Sequence, residues 1–262
     1  MKYVDLDSLE NRLQAIRADF QSRIPFRYTV IESFFEPSKA ELIASEYPPV
    51  QSGVWDGTTY IDQVKKFQRS TFEPNTIVSD VLHELNSNEF LNWLQEVTDI
   101  KALIADPTFF GGGLHQSVNG AYLNVHVDFN LHPKTNHHRR LNVLIYLNSD
   151  WKEEFGGFLE LWDLRDKKRK IQLANIAPTF NRCVVFETSE ISFHGHPKPL
   201  NMPIGATRKS IATYYYTDAN PSAVRSDSHN TIYVNTEGAS GFFRKFYSVS
   251  KSILERLEKK FK

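Results

Sequence analysis

The spacing of apolar residues divides the chain into a helical first part and a strand-rich second part. Leu6, Leu9, Leu13, Ile16 and Phe20 recur at helical intervals. Pro25 ends that pattern, and Phe26-Arg27-Tyr28-Thr29-Val30-Ile31 reads as a strand. Pro37-Ser38 opens a second helix that runs to about Glu46 and stops at Pro48-Pro49. Residues 75–85 and 87–97 read as two more helices.

From residue 101 short β-branched and aromatic runs succeed one another, punctuated by Gly, Pro, Asn and Asp. They are Ala121–Asp128, Leu141–Leu147, Gly157–Trp162, Arg169–Leu173, Arg182–Phe186, Ile191–Gly195 and Arg208–Thr217. Strands at this spacing predict a sandwich or barrel. The fold class expected is mainly β with flanking α-helices, a double-stranded β-helix or jelly roll of the cupin type. Gly241–Lys262 reads as an amphipathic helix with Phe242, Phe246, Val249, Ile253 and Leu257 on one face. The expected organisation is a helical region over 1–100, a catalytic β core over 101–220 and an extension over 221–262, all in one compact domain.

Composition narrows the function classes. Lys plus Arg equals Asp plus Glu at 31 each, so no global field steers the protein to nucleic acid. The single cysteine, Cys183, cannot form a disulfide within the chain, which suits a reducing compartment. No apolar run is long enough to cross a bilayer, and the N-terminus lacks a signal-peptide core. A cytoplasmic protein with neither membrane nor nucleic acid as partner is expected.

The chemistry concentrates in His126-Val127-Asp128 and His194. Two histidines and one carboxylate on one face of a metal are the donors of a non-haem Fe(II) site with open positions. Alternation along a strand lets positions i and i+2 grip one ion, and it puts Tyr122, Asn124, His126 and Asp128 on a common face. His196 is a rival to His194 at the same i+2 spacing. In Leu141–Asn148 the same alternation sets Asn142, Leu144 and Tyr146 on one side, and in the last strand Arg208 shares a face with Ser210. A dicarboxylate that chelates iron through one end needs its other carboxylate held, and a guanidinium fork can do this. Arg208 fits that use, with Tyr146 as a hydroxyl donor. Gly111-Gly112-Gly113 lacks the Lys-Ser/Thr of a phosphate loop and reads as a turn at the mouth of the site.

With these motifs in order, the run from about Tyr122 to Thr217 resembles the catalytic domain of prolyl-4-hydroxylase-like Fe(II)/2-oxoglutarate dioxygenases. It is most similar to bacterial stand-alone members that carry a Gly-Gly-x-Leu-Glu-Leu-Trp-Asp stretch, here Gly156–Asp163. The resemblance implies His126, Asp128 and His194 as iron ligands. It also implies Arg208 and Tyr146 as partners of the distal 2-oxoglutarate carboxylate, with Ser210 and Asn124 beside the co-substrate. Fe(II), 2-oxoglutarate and O2, with ascorbate as a stimulant, are the implied cofactors and co-substrates. Related halogenases vacate the position of Asp128, so its presence implies hydroxylation.

Two departures fall around co-substrate and substrate. The gap from His194 to Arg208 is longer than in animal oxygen-sensing prolyl hydroxylases, and Gln116 stands ten residues before His126 where those have tyrosine. Gln116 and Arg139 are therefore the expected substrate contacts, for a prolyl, amino-acid-type or other small or carrier-bound substrate, small-molecule or peptide. The alternative is a cupin-like metal-dependent isomerase or sugar-binding module, which would have no use for Arg208.

Overall fold

A computed structural model describes residues 1–60, 62–166, 168–219 and 228–237. The helix read over Gly241–Lys262 lies outside the described residues. The helices are α1 (Leu6–Asn11), α2 (Leu13–Ser22), α3 (Pro37–Ser45), α4 (Ile77–Leu85) and α5 (Asn88–Thr98). The strands are β1 (Tyr28–Ile31), β2 (Asp56–Tyr60), β3 (Gln63–Arg69), β4 (Ile104–Ala105), β5 (Gly113–Val127), β6 (His138–Tyr146), β7 (Leu159–Asp163), β8 (Ile171–Ile176), β9 (Arg182–Glu187), β10 (Phe193–His196), β11 (Arg208–Thr217) and β12 (Ile232–Tyr233). Among the described residues no helix is long and apolar enough to cross a membrane.

Side-chain caps set the starts of the helices. The Thr76 hydroxyl accepts from the Ser79 N–H and the Ser87 hydroxyl from the Phe90 N–H, each contributing about 1 kcal/mol by satisfying an orphaned donor. The first apolar run, read as one helix, breaks at Arg12 into α1 and α2. Arg12 turns its guanidinium to the carbonyls of Glu32 and Ser33 instead.

The strands pair antiparallel in the order β1-β9-β6-β11-β5-β10-β7-β8, with β3 and β12 also on β5, and β2 on β3. The long β5 joins two halves of this sheet. Its beginning pairs with β11 and β3, and its end pairs with β10 and β12. Side chains from β3, β5, β6, β7, β10 and β11 line one cavity, so the sheet curls around it as a double-stranded β-helix.

The period-2 pattern of β6 decides what lies on each side of that wall. Leu141, Val143 and Ile145 join a core cluster with Phe90, Leu94 and Tyr215 beneath the helices. Asn142, Leu144 and Tyr146 face the cavity. Cys183 is fully buried in the helix-side cluster as a free thiol, where burial raises its pKa well above the ordinary value. A second cluster packs Phe26, Tyr28, Leu159, Leu161, Val184 and Phe186 against Tyr146 on the cavity side of β6 and β9. Burying side chains of this size contributes roughly 1.5–3 kcal/mol each.

The β2–β3 hairpin has no counterpart among the sequence expectations. Gln63–Arg69 contains only two apolar residues, Val64 and Phe67, so no strand pattern stands out from the sequence there.

Candidate active site

His126 sits at the end of β5 and Asp128 just beyond it, and β10 brings His194 directly opposite His126 in the ladder. Their donor atoms all lie within 4.8 Å of one another. His126 Nε2 is 3.5 Å from Asp128 Oδ1 and His194 Nε2 is 3.5 Å from Oδ2. The other ring nitrogens are committed: Nδ1 of His126 bonds the carbonyl of Asn124 (2.8 Å) and Nδ1 of His194 that of Ser192 (2.9 Å). A carbonyl can only accept, so each Nδ1 carries the proton and each Nε2 presents a lone pair, the tautomer a metal ligand needs. Burial, then His126, pushes His194 down to about 4, which keeps its imidazole neutral near pH 7.

Gly195 makes the close approach of β10 to β5 possible. A Cβ there would meet the carbonyl oxygens of Leu123 and Asn124 at 2.8 and 2.9 Å. His196, the sequence-level rival, stays out of the metal cluster. It pairs with Leu123 rather than Asn124, because two residues of β10 oppose three of β5 at a bulge. Its buried Nδ1 has no partner. Burial, then Arg208 and Lys66, holds its pKa well below the ordinary range.

Asp128 is held from behind. Asn142 Nδ2 donates to Oδ2 at 2.8 Å, and Arg139 Nη2 lies 3.1 Å from the same oxygen. Arg139 also donates from Nε and Nη2 to Asn142 Oδ1, and its guanidinium stacks 3.5 Å from the centre of the Tyr214 ring. Burial works against the charge on Asp128, but Arg139 and then the two histidines outweigh it and hold the carboxyl well below its usual range.

A second group of residues faces the same cavity, of about 170 Å³, from its other end. Ser210 pairs with Tyr146 on one side and His115 on the other. Arg208, two residues earlier on the same face, donates from Nε to the carbonyl of Gly157 (2.8 Å). Its guanidinium lies over the Tyr146 ring, 4.9 Å from the centroid. Gly157 has φ +67°, and a Cβ there would meet Leu200 at 2.3 Å and Arg208 Cδ at 3.1 Å. That is the reason for the second glycine of the motif, while Gly156 is favoured by its own φ of +66°. The Tyr146 hydroxyl is buried without a partner, and burial raises its pKa. A guanidinium beside an orphaned hydroxyl fits a carboxylate, and the two free Nε2 atoms with Asp128 fit a divalent metal. The donor set therefore suits both Fe(II) and 2-oxoglutarate.

Three expected residues take other places. The bulge in β5 turns Asn124 away from the cavity and Leu123 into it. The Asn124 side chain donates instead to Asp62 (2.9 Å), and only its carbonyl serves the site, through His126. Gln116 lies on the opposite face of β5 from His115 and Ser117 and donates to Thr207 Oγ1 (2.9 Å), so it does not line the cavity. Arg139 lines it, but its charge is engaged by Asp128.

The sequence reading missed four contributors. Asn142 and Tyr214 had the right strand parity, and that parity was the available signal. Lys66 and Tyr233 carried none. Tyr233 reaches the site on β12, which pairs with Val127 and His126, and its ring lies 5.2 Å from that of His126.

Residues 112–216 match the 2OG-Fe(II) oxygenase superfamily. The prolyl 3-hydroxylase OGFOD1 of Mus musculus is 25% identical over 201 residues, covering 73% of this chain and 33% of that protein. The chain thus spans about a third of the length of this curated relative. Among solved structures, a prolyl hydroxylase of Trichoplax adhaerens in complex with a hypoxia-inducible-factor peptide superposes with TM-score 0.53 at 18% identity, over 81% of this chain and 92% of that one. A Pseudomonas putida prolyl-4-hydroxylase does so with TM-score 0.52 at 15% identity, over 77% and 98%. These likenesses show the double-stranded β-helix fold. The matched stretch, residues 112–216, is similar to 2OG-Fe(II) oxygenases and holds His126, Asp128, Tyr146, His194 and Arg208.

Proposed function

We propose that this chain is an Fe(II)- and 2-oxoglutarate-dependent hydroxylase of a prolyl or other amino-acid-type substrate, small or peptide-borne. One observation supports it above the rest: both histidine Nε2 atoms and Asp128 converge in a cavity whose far end presents Arg208 and an orphaned Tyr146 hydroxyl. A metal-dependent isomerase would have no reason to bury that second pair. The superfamily match and a prolyl 3-hydroxylase among the relatives support the reaction class and the substrate type.

In this reading His126, Asp128 and His194 hold the iron, while Arg208 and Tyr146 hold the distal carboxylate of 2-oxoglutarate, with Ser210 between them. When bound, the iron and 2-oxoglutarate supply the oxidising chemistry with O2, with succinate and CO2 as co-products. The chain's own part is preorganisation. The carbonyls of Asn124 and Ser192 fix the imidazole tautomers. Arg139 and Asn142 orient Asp128 and keep it ionised. Asp128 occupies the position a halide would need, which supports hydroxylation. Phe129, Tyr214 and Tyr233 line the cavity around the metal donors and limit water there.

Purified protein supplied with ferrous iron should convert 2-oxoglutarate to succinate, slowly without its substrate and faster with it. His126→Ala should abolish that turnover. Equal turnover by the variant and the parent would overturn the proposal.

A further inference from the structure

β3 changes the face it presents partway along its length. Its pairing with β5 shifts between Val64 and Lys66, and Lys65, at the shift, has φ 53° in the left-handed region. A non-glycine residue there is strained, and bulges of this kind re-aim the side chains that follow them. Without it, strict alternation from Gln63 would bring Lys65 and Phe67 to the cavity. With it, Gln63, Lys66 and Gln68 line the cavity, and Lys65 turns out to donate to the carbonyl of Asn119.

The bulge thus brings a lysine into a site that already holds cations. Lys66 pairs with Ser117, and Ser117 pairs with Arg208 on its other side, so the two cations flank β5 on one wall. Among the described residues the cavity is lined by Lys66, Arg139 and Arg208 against one carboxylate, Asp128. Asp128 is matched by Arg139. A divalent iron and the two carboxylates of 2-oxoglutarate would cancel each other. Arg208 and Lys66 would then leave two positive charges in the loaded pocket, with no further acid beside them. Burial brings Lys66 down to about 8, with Asp128 opposing that fall and Arg208 and Arg139 adding to it. A positive charge held in such surroundings is favoured when an anion joins it.

We propose that Lys66 binds an anionic group, a carboxylate or phosphate, of the substrate that is hydroxylated. This rests on the oxygenase reading above and names the chemical class of its substrate. Gln68 and Ser117 share the wall and would complete the anion's hydrogen bonds.

The test uses sulfate as the anion and needs no turnover. The full chain is loaded with Ni(II) and 2-oxoglutarate, and sulfate is titrated by calorimetry at constant ionic strength. The parent should bind one sulfate saturably. Lys66→Met should weaken that binding about tenfold or more, the loss of one charge-assisted hydrogen bond. Lys66→Arg should restore most of it, and 2-oxoglutarate affinity should stay within about twofold in both variants. Sulfate binding that is absent in the parent or unchanged in Lys66→Met would overturn the inference. So would a Lys66→Met variant that loses 2-oxoglutarate, since Lys66 would then belong to the co-substrate. Failure of the parent itself to bind 2-oxoglutarate would remove the oxygenase reading instead, and this inference with it.

Discussion

The guanidinium of Arg139 lies 3.1 Å from the carboxylate of Asp128 and 3.5 Å from the centre of the Tyr214 ring. The arginine residue is only 3% exposed. The sequence placed it among substrate contacts; the structure pairs it with Asp128, which in the proposed function is an iron ligand and makes Arg139 its positioning residue.

Removing it leaves a buried carboxylate without its cation. Arg139→Met should lower stability by about 3–5 kcal/mol and weaken metal binding roughly 10–100-fold. Arg139→Lys should not rescue it fully, since an ammonium cannot both bridge Asn142 to Asp128 and stack on a ring. Chemical denaturation and metal titration of the three proteins would measure this. Wild-type metal affinity in Arg139→Met would refute the positioning role.

Tyr146→Phe offers the opposite signature. The hydroxyl is an unsatisfied buried group, so its removal should leave the stability of the metal-free protein unchanged or slightly raised. The dissociation constant of 2-oxoglutarate should rise about tenfold, the loss of one hydrogen bond to a charged group. A destabilised variant with normal 2-oxoglutarate binding would show that the hydroxyl serves packing.

At Gly157 a methyl group would press on the Leu200 and Arg208 side chains, at a φ of +67° that residues with a Cβ rarely adopt. Gly157→Ala should cost about 1–3 kcal/mol from overpacking and displace the Arg208 side chain, so 2-oxoglutarate affinity should fall while metal affinity holds. Separate titrations of metal and co-substrate would read the split; equal loss of both would point to general unfolding.

Acid should weaken the metal-free fold through its buried histidines. Burial, first among the causes, lowers the pKa of His115, His194 and His196, with His194 at about 4. Since these values lie below the ordinary 6.5, the unfolded chain binds more protons as pH falls. Stability should therefore fall from about pH 6.5 towards 4, with a slope near 1.4 kcal/mol per pH unit for each group. Denaturant midpoints at pH 7.5 and 5 would show it, and a flat profile would mean that these imidazoles are already solvated.

Much of the site was legible because it follows local periodicity. In β6 the apolar and polar positions alternate without interruption, so Asn142 and Tyr146 could be placed on the cavity side from the sequence. In β5 the same rule failed once. A bulge at Leu123–His126 reverses the parity of the residues before it, so Leu123, Ser117 and His115 face inward while Asn124 and Gln116 do not. A bulge changes side-chain parity without changing composition, and nothing in the residue types marks it.

The sequence by itself determined the strand-rich core, the donor types in His126-Val127-Asp128 and His194, and the cation on β11. These depend on residue identity and short spacings, which survive any arrangement of the strands. The tertiary structure decided which groups share a cavity. It set His194 against His126, packed Gly157 under Arg208, engaged Arg139 with Asp128 and turned Lys66 rather than Lys65 inward. Each of those outcomes depends on strand register between segments far apart in the chain. Register is fixed by which faces pack together and by where a ladder slips.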